Sequence, residues 1–287
     1  MNKLIFLFTA LIFISCESED SADDSNNSSN SDSSVLVKTI TTTTNDGDYS
    51  NVITEEYFYE GNKIERKLEY RSGSDYSNSN EVYRTYNYTY TNNNISNVKR
   101  YDSNDELERE YIFNYDSNGK LISYSNEHFR YGEKILYTID YDGNYILACE
   151  TVIYGDVVNY NYYTKYTINS NSDLTFMESV QSCSFSAPLL PSDDDDFQTA
   201  NVEYDNNPSP FKNVEGNNFI ITTEILTYAD LLGYYNNVTK VTFNGGDGTY
   251  SISLNYDYNS DNYPRNVQIS EEDGQVYLYE SVDIDYY

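Results

Sequence analysis

Three thiols and one imidazole are the scarce reactive groups of this chain: Cys16, Cys149, Cys183 and His128. Cys16 follows an apolar run at residues 4–14 (LIFLFTALIFI), with Lys3 ahead of the run and small Ser15 behind it. Such a run is too short to span a bilayer as a helix and has the form of a secretion signal. In an exported chain Cys149 and Cys183 are free to form a disulfide, and two buried thiols in strands remain the alternative. His128 sits between Glu127 and Phe129 with no nucleophile motif nearby, so it reads as an ordinary surface or edge residue. With one histidine a His-rich metal site is impossible, and no G-x-S-x-G, H-E-x-x-H or P-loop pattern occurs. Glycoside hydrolysis needs two placed carboxylates, but among 47 Asp and Glu residues candidate pairs have no diagnostic value. Asp193 to Asp196 lack the alternate spacing and sharp turn of a calcium loop, and Asp46-Gly47-Asp48 and Asp247-Gly248 are equally incomplete. The expectation is no catalytic residue, no metal site and no cofactor.

The bulk charge narrows the partners. A formal −30 on 287 residues argues against nucleic acid and anionic lipid. Residues 17–34 (ESEDSADDSNNSSNSDSS) contain no large apolar side chain and read as a solvated tether. Ser15-Cys16 after the apolar run resembles the lipobox of bacterial lipoproteins, with Phe13 where Leu is usual. That resemblance implies cleavage before Cys16, lipidation of its thiol and membrane attachment through acyl chains. Glu17, Glu19 and Asp20 behind it resemble the export signal of surface lipoproteins in Bacteroidota. The expected organisation is a signal peptide at 1–15, a lipidated acidic tether at 16–34 and one β domain at 35–287.

The remainder alternates with period two, as half-buried strands do. Tyr86, Tyr88 and Tyr90 share one face, as do Tyr111, Phe113 and Tyr115, and Ile252, Leu254, Tyr256 and Tyr258. Asn, Asp, Gly and Ser clusters separate the runs and tolerate the positive φ of hairpin turns. The spacing predicts an all-β, antiparallel up-and-down meander forming a curved or barrel-like sheet. Tyr is 34 of the residues and Trp is absent, which suits a sheet with half-wet faces and a thin core. A strand-ending Tyr, a polar turn and a returning aliphatic recur at Tyr115–Ile122, Tyr59–Ile64, Tyr90–Ile95 and Tyr101–Leu107. These units resemble the YD-type repeats of bacterial surface proteins. Residues 224–232 (EILTYADLL) follow helical spacing, with Thr223 as a cap and Gly233 as a stop, and predict one short helix. The prolines of Tyr204-Asp205-Asn206-Asn207-Pro208-Ser209-Pro210-Phe211 predict a rigid loop rather than a central strand. That loop, the short helix, Asn237-Val238 and Tyr263-Pro264 resemble a group of Bacteroidota lipoproteins whose domain, of unknown function, has a porin-like β fold.

These features lead to a lipid-anchored β protein of the outer membrane, facing the cell exterior, with a binding or scaffolding role. Two other readings compete. Tyr ladders with interleaved Asn and Asp are materials for a polysaccharide-binding protein or hydrolase. The porin-like resemblance and the terminal Tyr286-Tyr287 fit a transmembrane β-barrel, which Glu55-Glu56 and Glu108-Arg109-Glu110 fit badly.

Overall fold

The computed structural model describes residues 35–46, 49–74, 76, 81–186, 199–218, 221, 232–245, 248–272 and 276–287. Cys16, the tether and the Asp193 to Asp196 run lie outside them. So does the helix expected over 224–232, apart from buried Leu232; every named element among the described residues is a strand.

The strands begin with β1 (Val37–Asp46), β2 (Tyr49–Glu60), β3 (Lys63–Gly73) and β4 (Val82–Thr91). β5 (Asn94–Asp102), β6 (Leu107–Tyr115), β7 (Leu121–His128) and β8 (Glu133–Asp142) follow. Next come β9 (Tyr145–Tyr154), β10 (Val157–Ile168), β11 (Leu174–Ser179) and β12 (Thr199–Pro208). β13 (Asn236–Gly245), β14 (Gly248–Tyr258), β15 (Pro264–Glu272) and β16 (Val276–Tyr286) complete the set. Each pairs antiparallel with its sequence neighbours, and β16 pairs back onto β1, so the expected meander is a closed barrel. Closure satisfies both edges of the sheet.

The Tyr-turn-aliphatic units have a definite geometry. Asp116 Oδ1 accepts the amides of Asn118 and Lys120 at 2.8 and 2.9 Å, and Gly119 takes φ 80°. Asp102 holds Asn104 and Glu106 in the same way, with Asp105 at φ 61°. Asn169 and Asn259 repeat the arrangement, although Asn in place of Asp hides these two copies in the sequence. The aspartate or asparagine is thus a side-chain clamp on a five-residue turn. The tyrosines do more than pack. Tyr115 donates its hydroxyl to Ile95 O (2.7 Å) and Tyr141 to Leu121 O (2.8 Å). Tyr256 donates to Val238 O (2.6 Å) and Tyr286 to Pro264 O (2.7 Å). Each reaches the start of the returning strand in the preceding hairpin, so hairpin is bolted to hairpin around one end of the barrel.

The buried face is the inner one. Ile40, Tyr57, Ile64, Ile95, Val98, Phe113, Val241, Val267 and Val282 come from strands all round the ring yet form one core cluster. Segment 209–218 joins that cluster through Phe211 and Val214 and closes the end bearing the tyrosine bonds. Phe211 meets the Tyr57 ring edge-on at 5.6 Å. Asn213 Nδ2 donates to Val35 O (3.0 Å) and Tyr263 Oη (2.8 Å), and the Glu215 amide donates to Asn62 O (2.9 Å). At Gly216, φ 76°, a Cβ would stand 2.8 Å from Asn93 O, so glycine is required there. The proline-bearing segment expected as a loop is therefore partly strand: β12 continues to Pro208 across a register break after Tyr204, and the chain then turns in as a lid. Asp173, fully buried, accepts the amides of Tyr235 and Asn236 and fixes the lid's exit into β13.

The outer wall is polar through β13–β16 and β1. Lys240, Thr242, Ser253, Asn255 and Asp257 face outward, followed round the ring by Asn266, Gln268, Asp283 and Thr41. These side chains bond one another, as in Asn266 Nδ2 to Asp283 Oδ1 (2.7 Å), Gln268 Nε2 to Ser281 Oγ (3.1 Å) and Thr39 Oγ1 to Asp285 Oδ2 (3.1 Å). On β9 the outer wall is apolar at Leu147 and Cys149, and there Val180 and Phe185 cover it. Cys149 and Cys183 are joined as a disulfide, with Cα atoms 5.8 Å apart, which pins that cover to the wall.

Candidate functional site

Alternation sends charged side chains of β2 to β7 inward, away from the lidded end. Lys67 Nζ lies 2.6 Å from Glu55 Oε1, with both side chains almost wholly buried. Tyr57 donates to Glu55 (3.3 Å), and Lys67 also sits over the Tyr86 ring at 4.1 Å. Glu69 accepts Arg71 Nε at 2.6 Å and Tyr86 Oη at 2.9 Å. Burial pushes the Glu69 carboxyl up, but the charges of Arg71, Lys67 and Arg84 outweigh it and hold it below the usual carboxylate range.

The next tier centres on Glu108, beside the register shift where β5 and β6 part. Arg84 grips its two oxygens at 3.0 and 3.3 Å, and Arg100 Nε stands 3.1 Å from Oε2. His128 Nε2 is 3.7 Å from Oε1. Burial raises the Glu108 carboxyl, and Arg84 and Arg100 bring it below its ordinary value. His128 is therefore not the surface or edge residue expected: it is 4% exposed at the end of β7, tilted against the Tyr131 ring at 4.5 Å. Burial and the neighbouring Arg109 charge lower its pKa, so it is a neutral imidazole at neutral pH. Beside Glu108 a cavity of about 260 Å³ opens among Asp102, Leu107, Phe129 and Arg130.

A second concavity, of about 850 Å³, lies at the lidded end, where Thr91, Asn92, Asn94, Ser96, Asn114 and Asn118 line it. The carboxamides come from two neighbouring turns and the strand ends between them, with exposed Ile112 as the apolar element. Its size is that of a small-ligand site.

The sequence-based site residues do not meet in either place. Cys149 and Cys183 hold the outer cover, and Cys16 lies outside the described residues. Among the described residues no group of three His, Cys, Asp or Glu side chains is placed to hold a metal. The inward charge cluster escaped the sequence because alternation separates two faces without saying which is inner.

No protein-family model matches the chain, and no curated protein does. Solved structures do. A porin-like protein from Bacteroides vulgatus ATCC 8482 aligns with 88% of this chain and 99% of its own, at 14% identity and a TM-score of 0.50. The chain shares that protein's barrel fold. A porin-like protein from Bacteroides uniformis ATCC 8492 covers 88% and 98%, at 12% identity and a TM-score of 0.43. Identities this low speak to fold alone.

Proposed function

We propose that this chain is an exported lipoprotein of the outer membrane, anchored through Cys16 at the cell surface, whose barrel stands outside the bilayer and serves as a binding module. The porin-like fold supports an outer-membrane role, and the lipobox-like sequence supports the anchor. The observation that carries the reading is the polar outer wall of β13–β16 and β1, with Lys240, Asp257, Asp283 and Asp285 on it. Barrels that cross the outer membrane turn a continuous apolar band toward lipid, and charge on that band is costly. Here the apolar face turns inward and a lid fills one end, which suits neither lipid contact nor conduction.

The test compares the full precursor with residues 17–287 expressed behind a signal peptide of the general secretion route. The precursor is expected in the membrane fraction with radiolabelled palmitate incorporated. The version without Cys16 is expected in the soluble fraction without detergent. Retention of that version in membranes after alkaline extraction would mean that the strands themselves insert.

The Asn-rich groove favours a glycan as the bound partner, since carboxamides match sugar hydroxyls in both donor and acceptor capacity. Binding without turnover is the expected result on a glycan array paired with a reducing-sugar assay. Release of reducing ends would instead assign a hydrolase.

A further inference from the structure

Arg100, Arg109 and His128 stand abreast on β5, β6 and β7, as direct register partners on the inner face. Neighbouring strands lie about 4.8 Å apart, so two guanidinium groups and an imidazole share one level of the wall. The carboxylate nearest to them, Glu108, is already engaged by Arg84 and Arg100. Among the described residues Arg109 forms no ion pair, and its buried Nε has no acceptor. The Nδ1 atom of His128, itself 4% exposed, likewise has no partner among the described residues. Glu133 follows His128 in the same row, on β8, without forming an ion pair to Arg109. Over the wider inward cluster, Lys67, Arg71, Arg84, Arg100 and Arg109 share the inner face with Glu55, Glu69, Glu108, Glu133 and Glu150, so the unmet demand is local, at Arg109 and His128.

Arg109 is half-buried, and leaving its buried Nε–H without an acceptor is unfavourable. The Arg100 guanidinium beside it raises that cost, and a bound anion removes it. We propose that this row is a binding site for the oxyanion group of a small polar molecule: a carboxylate, sulfate or phosphate received by Arg109 and by Nδ1 of His128. The planar fork of arginine suits such groups, taking two oxygens at once. Tyr131, 67% exposed and tilted against His128, offers an aromatic face beside the anion position. The molecule therefore has a ring as well as an acidic group, as an acidic saccharide does. This site is on the inner wall, distinct from the Asn-lined groove, and does not depend on how the protein is anchored.

The experiment is isothermal titration of the purified mature protein with glucuronate, inorganic sulfate, inorganic phosphate and glucose, at one ionic strength maintained with chloride. Glucuronate is expected to bind saturably and more tightly than either inorganic ion, and glucose not to bind at this site. Arg109→Gln is expected to weaken glucuronate at least tenfold, and Arg109→Lys, which keeps the charge but not the fork, to weaken it less. If inorganic sulfate or phosphate binds as tightly as glucuronate, the ring contact is wrong and the saccharide assignment falls. No saturable binding of any oxyanion, or equal binding by wild type and Arg109→Gln, overturns the site itself. Should Arg109→Gln fail to fold, glucuronate-induced NMR shifts of the Arg109 Nε–H and the His128 ring in wild type decide the matter. Shifts there support the site, and their absence at saturating glucuronate overturns it.

Discussion

Lys67 and Glu55 show what a single buried residue does in this barrel. The pair lies 2.6 Å apart with 3% and 2% of the side chains exposed, so neither charge is relieved by water. Lys67→Met removes the cation and leaves a desolvated carboxylate, a loss of about 3–5 kcal/mol for a buried pair. The double change Lys67→Met with Glu55→Gln removes both charges and is expected to recover most of that loss. Urea denaturation of the three proteins checks this; a double variant less stable than Lys67→Met would show that the pair is not the source. His128 makes the same point about context. One histidine between Glu127 and Phe129 looks unremarkable in the sequence, and it becomes a neutral group because the fold buries it and β6 and β5 bring the Arg109 and Arg100 charges to its level.

At the scale of elements, the repeated hairpin is the unit of stability. Its sequence mark, Tyr followed by an Asp or Asn clamp, was legible where the clamp is Asp116 or Asp102, and hidden at Asn259 and at Asn169, which follows Ile168 instead of Tyr. What the clamp does is local, so sequence shows it. The target of the tyrosine hydroxyl is another hairpin, so sequence does not. Tyr115→Phe is expected to lower stability by about 1 kcal/mol, the usual net worth of such a hydrogen bond, while leaving the ring's packing intact. Denaturant midpoints at unchanged slope would record it. An effect of zero would mean that water satisfies Ile95 O equally well.

For the whole molecule, the carboxylates split into two groups with opposite pH behaviour. Burial raises the Glu150 carboxyl above its ordinary 4.5, with the Tyr137 hydrogen bond opposing and Glu133 adding to it; burial also raises Glu280. A raised carboxyl binds its proton more tightly in the fold than in the unfolded chain. Its contribution is therefore complete below the ordinary carboxylate range and fades as pH climbs through the folded value. Glu69 and Glu108 have lowered values and act in reverse: their contribution is present above the ordinary range and is lost as pH falls through the folded value. Self-repulsion from the −30 charge also lessens on acidification. His128, lowered by burial and by Arg109, opposes the first group because its contribution is lost as pH falls below its ordinary 6.5. In a His128→Gln variant the melting temperature is therefore expected to rise as pH falls from 7 into the carboxylate range and to fall below that range. A steady fall from pH 7 downward in that variant would contradict the assignment of Glu150 and Glu280.

Period-two alternation and Asx-clamped turns depend on neighbours within a few residues, so the all-β class, the antiparallel meander and the turns are legible in the order of the amino acids. It also held the one reading of address, in the apolar run before Cys16. The remaining features exist only in the folded ring. Alternation shows that Lys67, Glu69 and Arg71 share a face, but only ring closure makes that face the inner one. Phe211 is a lid residue only because 209–218 crosses a closed end, and Cys149 meets Cys183 only because a cover folds onto the outer wall. The pairing of β1 with β16 joins residues such as Thr44 and Glu280, 236 positions apart in sequence. Contacts at such separation leave no local pattern to read, and it is this closure that turns a polar, tyrosine-rich sheet into a vessel with an apolar, charge-studded interior.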